Sequence, residues 1–293
     1  MNKTGRCVVG SKVSSWRRES RFHRSRAGEG IDPIAAVRRH PLITFWVLTY
    51  AISWGFLPIE AVGFIAGGPF IAALIVIPLT QGLSGLRELG SRLIRWRVGW
   101  IWWALAIGVP LGVHLVTAGL NVAAGGGLPS LSFTSLTTFL MMFAVRMVNP
   151  ADGPLGEHPG WNGVALPGLQ ADHSPLLSAM ILAPLVTIWH VPLFFLEEGG
   201  LEPPFLVGGL VTTMAVTFWY TWLFNHTAGS VLLLVVAHNI EGDIQAQGWI
   251  YMGVWLAVAI GLVVFDWQSW HGRSPAPATT VLQPAYEGES RVR

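Results

Sequence analysis

Apolar residues run through this chain in long blocks, and most polar residues are collected between them. A membrane-crossing helix needs about 20 mostly apolar residues. Eight blocks approach or reach that length: 41–57, 61–80, 100–122, 133–148, 175–196, 204–224, 228–244 and 249–267. Between the second and third, Leu83, Leu86, Leu89, Leu93 and Ile94 recur at helical spacing, with Arg87, Arg92, Arg95 and Arg97 among them. That spacing predicts an amphipathic helix over 81–99, lying on a membrane surface. Segments 123–132 and 149–174 are rich in Gly, Pro and polar groups. The pattern predicts an all-α fold, a polytopic membrane bundle of about eight transmembrane helices over 41–267. A basic tail, 1–40, precedes it. A polar tail, 268–293, comes after it and is expected to be disordered.

Composition supports this reading. Of 293 residues, 52% are hydrophobic and 12% are charged, against about 25% charged in ordinary soluble domains. Mean hydropathy is +0.52. One soluble core of this size cannot hide so much apolar surface. A disordered chain, a disulfide scaffold and most soluble enzymes are excluded. The single Cys7 cannot close an internal disulfide.

The charge is uneven. Ten of the 18 Lys and Arg residues precede position 41, four lie in 87–97, and Arg146 alone falls between 98 and 272. Positive residues stay on the cytosolic side of a membrane. The distribution therefore predicts a multi-pass protein of the cell membrane with both termini cytosolic. Arg87–Arg97 and the tail carrying Arg273, Arg291 and Arg293 fall inside, and the acidic loop with Glu197, Glu198 and Glu202 falls outside. A pI of 9.0 then reports orientation, and no nucleic-acid partner is expected. The basic N-terminal run shows no small-residue cleavage site, so it reads as a tail before a retained first span.

Ionisable groups inside spans are costly and mark function. The set of interest is Glu157, His158, His190, His238, Glu241 and Asp243, with His114 apart in the third block. For a lone His the structural reading is a ring tied to a backbone carbonyl or a neighbouring helix. Two such histidines plus a Glu in a Gly/Pro-broken segment offer a base, a proton carrier and a hydrogen-bond donor, the set that peptide hydrolysis needs. No H-E-x-x-H pattern is present. Still, His238 and Glu241 stand three residues apart and share a helix face. With His190 they would make a two-His, one-carboxylate set for a divalent cation such as zinc. Glu197 and Glu198 read as a solvated loop, and Asp172 with His173 as a loop or cap before Pro175. The Trp residues collect near span ends, as in an interfacial belt.

Three stretches in order carry a resemblance. They are G-E-H-P-G-W-N-G at 156–163, T-I-W-H-V-P-L-F-F at 187–195, and T-A-G-S-V-L-L-L-V-V-A-H at 227–238. The set resembles the CPBP family of intramembrane proteases, which includes the CAAX prenyl endopeptidases and Abi proteins. The likeness covers roughly 40–265. It implies eight membrane helices and an intramembrane site that cleaves a membrane protein or lipid-modified peptide. By that resemblance Glu157 activates a water, His190 assists it, and His238 stabilises the oxyanion. The same three side chains are the candidate metal ligands, since the family is often labelled metalloprotease. Three family positions differ. The second motif Glu is His158, the motif Arg is Asn162, and the third-motif Asn is Gly242. Asn239 and Glu241 are the neighbouring candidates for a supporting role, beside His158 and Asn162.

The leading expectation is an intramembrane endopeptidase. The alternative is a catalytically impaired relative that binds or shields a membrane partner, as an immunity protein would. A small transporter with a buried His/Glu proton path is the third reading, and neither an internal repeat nor a charged pore ring supports it.

Overall fold

The computed structural model describes residues 33–59, 63–128, 135–151, 153–196, 200–242 and 248–272. Among them there is no β-strand. The helices are α1 (Pro33–Arg39), α2 (Pro41–Trp54), α3 (Gly68–Leu93), α4 (Trp100–Ala123), α5 (Leu136–Arg146) and α6 (Gly153–Gly160). A π-helical turn, Trp161–Ala165, joins α6 to α7 (Leu166–Gln170). The series continues with α8 (Pro175–Leu196), α9 (Pro203–His226), α10 (Val231–Gly242), α11 (Trp249–Phe265) and α12 (Trp267–His271). Four of these, α3, α4, α8 and α9, are long and apolar enough to cross a membrane, and α2, α5, α10 and α11 are shorter apolar helices. The fold is a polytopic helical membrane bundle. Cys7, Glu197, Glu198, Asp243, Arg273, Arg291 and Arg293 lie outside the described residues.

Large apolar side chains face outward along these helices, Leu115, Leu111 and Ile107 on α4 and Ile260 and Val264 on α11 among them. In water that surface would be untenable, and in lipid it is the solvent-facing side. Prolines sit inside α3, α4 and α8, as membrane helices tolerate.

The second block and the amphipathic segment are two helices joined at a kink, and α3 labels both. α3 starts at Gly68, with Pro69 in its first turn, and runs to Leu93 through a break at Gly82, whose φ is +65°. Only Gly adopts that conformation cheaply. Beyond the break Leu89 is buried while Leu83 and Ile94 are exposed. Arg92 is buried there, paired with Glu88 at 3.0 Å and lying over the Phe224 ring.

The stretch 149–174 differs most from its soluble-protein appearance. Gly153–Gln170 is helical and almost wholly buried, and it packs on α3, α8, α9 and α10. Buried backbone must pair internally, and coiling is the only local way to do so. Pro159 lacks the N–H an α-helix needs, and the π turn begins two residues later, at Trp161. Such turns are rare and cluster at functional sites. Gly160 lets the segment approach α3 closely: a Cβ there would stand 2.8 Å from the Pro69 carbonyl carbon. The buried helix is walled by aromatic rings. Trp161 stacks on Trp46 at 5.0 Å and meets Trp189 and Phe45 edge-on. α2 also fastens α8, through Tyr50 Oη to the Leu185 carbonyl (2.7 Å) and Trp54 Nε1 to the Trp189 carbonyl (3.2 Å).

Candidate active site

At the centre of the bundle a cavity of about 90 Å³ lies between α6, the π turn, α8, α9 and α10. Its polar lining includes Glu157, His158, Asn162, His190, His238 and Glu241. A cavity of that volume holds several waters, given at least two polar partners for each. Six of the seven candidate residues thus share one space. Asn239 does not join them. It is buried and turned to Met147, and its amide donates to the Val235 carbonyl at 3.0 Å.

α6 supplies the carboxyl. Glu157 is 7% exposed, and Trp161 Nε1, one turn on, points at its Oε2 at 3.4 Å. A Cβ at Gly153 would stand 2.9 Å from Glu157 Oε1 and 3.7 Å from His238 Cε1. The missing side chain at 153 therefore lets the carboxyl fold back along its own helix, toward the His238 ring.

α8 supplies the first imidazole. His190 Nδ1 lies 2.8 Å from the Val186 carbonyl. A carbonyl only accepts, so Nδ1 carries the hydrogen and neutral His190 has its lone pair on Nε2. That nitrogen faces Glu157 Oε2 at 3.7 Å. The gap is too long for a direct hydrogen bond and suits a bridging water. Such a water donates one hydrogen to the carboxylate and one to the imidazole.

α10 supplies the second imidazole. His238 Nδ1 meets His158 Nε2 at 3.0 Å, and His158 Nδ1 meets Asn162 Oδ1 at 2.8 Å. His158 is held between the Tyr220 ring (centroids 4.5 Å) and the His238 ring (5.0 Å), both edge-on. The free edge of His238 therefore runs between two glycines. Its Cε1 lies toward Gly153 and its Cδ2 toward Gly242, where a Cβ would stand 3.9 Å from Cδ2 and 3.8 Å from Arg146 Nη1. Glu157 and His158 are sequence neighbours whose side chains diverge by about 100° on a regular helix. Both line the cavity because it wraps around α6.

Glu241 closes the far side. Tyr251 donates its hydroxyl to Glu241 Oε1 at 2.7 Å. His114, set apart in sequence, bonds the Glu241 carbonyl through Nε2 at 3.0 Å and stacks on Tyr251. A second cavity of about 200 Å³, reaching Gly208, Gly248 and Tyr251, shares His190, Thr212, Thr213 and Glu241 with the first.

Sequence reading missed Tyr220. Its ring lines the cavity, and its buried hydroxyl has no hydrogen-bond partner among the described residues. A Tyr inside F-W-Y-T-W looks like packing, and only the three-dimensional neighbours distinguish it. The metal reading does not fit. Among the described residues no three His, Cys, Asp or Glu side chains come together as a cation requires. Glu157, His190 and His238 are not gathered as a metal set among the described residues, and the metalloprotease label finds no support.

A helical membrane bundle enclosing a carboxyl and two imidazoles in a small polar cavity defines an integral membrane protein with a buried polar site. Residues 135–241, from α5 through α10, match the family model described as type II CAAX prenyl endopeptidase, Rce1-like. Over that stretch the match supports membership of the CPBP family, a family of membrane proteases. No curated protein sequence matches the chain.

Proposed function

We propose that the protein is an intramembrane endopeptidase that hydrolyses a peptide bond of a membrane-associated protein or lipid-modified peptide. The observation that carries this reading is the 3.7 Å separation of Glu157 Oε2 and His190 Nε2 beside a water-sized cavity. Both atoms face it as acceptors, so a water between them is oriented and made nucleophilic. Glu157 takes the water's proton as its oxygen attacks the scissile carbonyl carbon. The same proton then passes to the departing amide nitrogen. His238, once its Nε2 has taken up a proton from solvent, donates to the oxyanion. The apolar surroundings strengthen each of these interactions. The adjoining 200 Å³ cavity gives an extended peptide a place beside the site.

The basic residues Arg38, Arg39, Arg87, Arg95 and Arg97 support a cytosolic face at that end of the bundle and location in the cell membrane. A partner-binding relative without turnover is the second reading. Gly242 favours it, because no side chain stands there to donate beside His238. One experiment separates the two: cleavage of quenched membrane-peptide substrates by the purified protein in lipid, wild type beside Glu157→Gln. The expected result is loss of about 10³-fold in E157Q with unchanged thermal stability. Equal cleavage by both would overturn the mechanism.

A further inference from the structure

We propose that His158 and Asn162 are positioning residues that set which nitrogen of His238 carries its hydrogen. The proposal rests on the peptidase reading only for its consequence. The tautomer itself is a property of the resting protein.

The chain of three groups has a direction. Asn162 turns its amide oxygen to His158 Nδ1 at 2.8 Å, and an amide oxygen only accepts. The hydrogen of neutral His158 is therefore on Nδ1, and its lone pair is on Nε2. That lone pair faces His238 Nδ1 at 3.0 Å, so His238 in turn carries its hydrogen on Nδ1. Its Nε2 is left as a lone pair at the cavity edge, between Gly153 and Gly242. In this setting His238 waits as a proton acceptor. Once Nε2 takes up a proton from solvent, before the attack, both ring N–H groups donate, one to His158 and one to the oxyanion, and the ring keeps that proton through the reaction. His158 supplies the accepting atom behind the working imidazole, as a carboxylate does in hydrolase triads.

The arrangement is built to hold. His158 and Asn162 are each 2% exposed, one turn apart across the start of the π turn. Tyr220 and His238 pin the His158 ring from two sides. Asn162 and His158 are also the two positions at which this chain departs from the family's E-E-x-x-x-R motif. They depart together, and the replacements are bonded to each other. The bonded pair ends on His238. Rotating the Asn162 amide by 180° exchanges oxygen for N–H at nearly the same shape. It would reverse the direction of the whole chain, so the identity of residue 162 matters more than its size.

The test uses full-length protein with ¹⁵N-labelled histidine in lipid nanodiscs, with signals assigned by single His→Gln replacements. The expected result is N–H on Nδ1 and a bare Nε2 at both His158 and His238 in the neutral range. Asn162→Asp, whose carboxylate only accepts, keeps that tautomer. Asn162→Leu leaves His158 free to populate both forms, and His238 changes with it. An Nε2–H form at either ring of the wild type overturns the proposal, as does an unchanged His238 tautomer in N162L. On peptide substrate N162L lowers kcat by about 10–100-fold, as loss of an orienting partner typically does, with KM little changed. N162D recovers part of that loss. Equal damage from both substitutions overturns the link to the reaction. The spectroscopic arm reads out whether or not E157Q affects cleavage, so the two readings fail separately.

Discussion

His190 and His226 hold their rings alike. Each donates Nδ1–H to the carbonyl one turn earlier, Val186 or Trp222, at 2.8 Å, and each aims Nε2 at a carboxylate. Their carboxylates are held differently. His226 Nε2 reaches Asp266 Oδ2 at 3.1 Å, and Trp222 Nε1 reaches the same oxygen at 2.7 Å. Trp102 and Trp222 lie against the ring. The Asp266 carboxylate is satisfied by its own neighbours, and the cluster ties the end of α9 to the α11–α12 junction. At His190 the corresponding distance is 3.7 Å, the carboxylate is 7% exposed, and a cavity opens beside the pair. A His–carboxylate pair is thus not a site in itself. The direct contact is a fastening, and the separated one leaves both acceptors for a third group.

The largest expected effect breaks this comparison most directly. His190→Ala lowers peptide cleavage by about 10²-fold or more, since a positioned acid–base group typically supplies 10²–10⁴. His226→Ala leaves cleavage within about threefold and lowers only the melting temperature in detergent. Paired kinetic and melting measurements check both. A large loss of turnover in well-folded H226A would mean that the two histidines are not distinguished by the gap.

Much of the bundle was legible in the sequence, for a physical reason. Lipid imposes long apolar blocks, and the block at 175–196 coincides with α8 (Pro175–Leu196). His190 and His238 stood out because an imidazole in an apolar run is expensive. The buried helix at Gly153–Gln170 was not legible. Pro154, Pro159 and Pro167 with several glycines read as a broken loop under rules learned from water. Inside the bundle neighbouring helices exclude water, and the same residues coil and turn once as a π-helix. Asn239 illustrates the opposite case. It adjoins His238 in sequence, but a helix turns about 100° per residue, and that carries its amide to Met147. Tyr220, Gly153 and Trp161 gave no signal because each acts through a neighbour distant in sequence or through an absent side chain.

The second expected effect concerns that buried helix. At Gly160 an added Cβ would stand 2.6–2.8 Å from Pro69 atoms, two of them backbone, so neither side can yield cheaply. Gly160→Ala should cost about 1–3 kcal/mol, the usual range for overpacking, and cleavage should fall with it as Glu157 and His158 shift. Gly253, on the exposed face of α11, has nothing within 4 Å of an added Cβ, and Gly253→Ala should be neutral or slightly stabilising. Melting both variants in the same detergent checks the contrast. A neutral G160A would show that the close approach of the broken helix to α3 does not hold the site.

The smallest effect belongs to the satisfied pair and carries a sign in pH. Burial would raise the Asp266 carboxyl, but hydrogen bonds from Ser269 and Trp222, together with the His226 ring, outweigh it and hold the group below its ordinary value. A carboxyl held low in the folded chain contributes stability that is present above its unfolded pKa, near about 4. That contribution is lost as pH falls through the lower folded value. Asp266→Asn should therefore melt below wild type at about pH 7, by less than about 1 kcal/mol for a pair this exposed. The difference should begin to narrow below about pH 4 and close only after the pH has fallen through the lower folded value, where the wild-type carboxyl is protonated as well. Cleavage at neutral pH should be unaffected, because Asp266 lies at the end of α11 and lines neither cavity. If the gap in melting temperature stayed constant down to about pH 3, the carboxylate charge would not be what fastens His226. The contact would then be one of shape, with Trp102 and Trp222 holding the ring, and the contrast with His190 would rest on packing instead of charge.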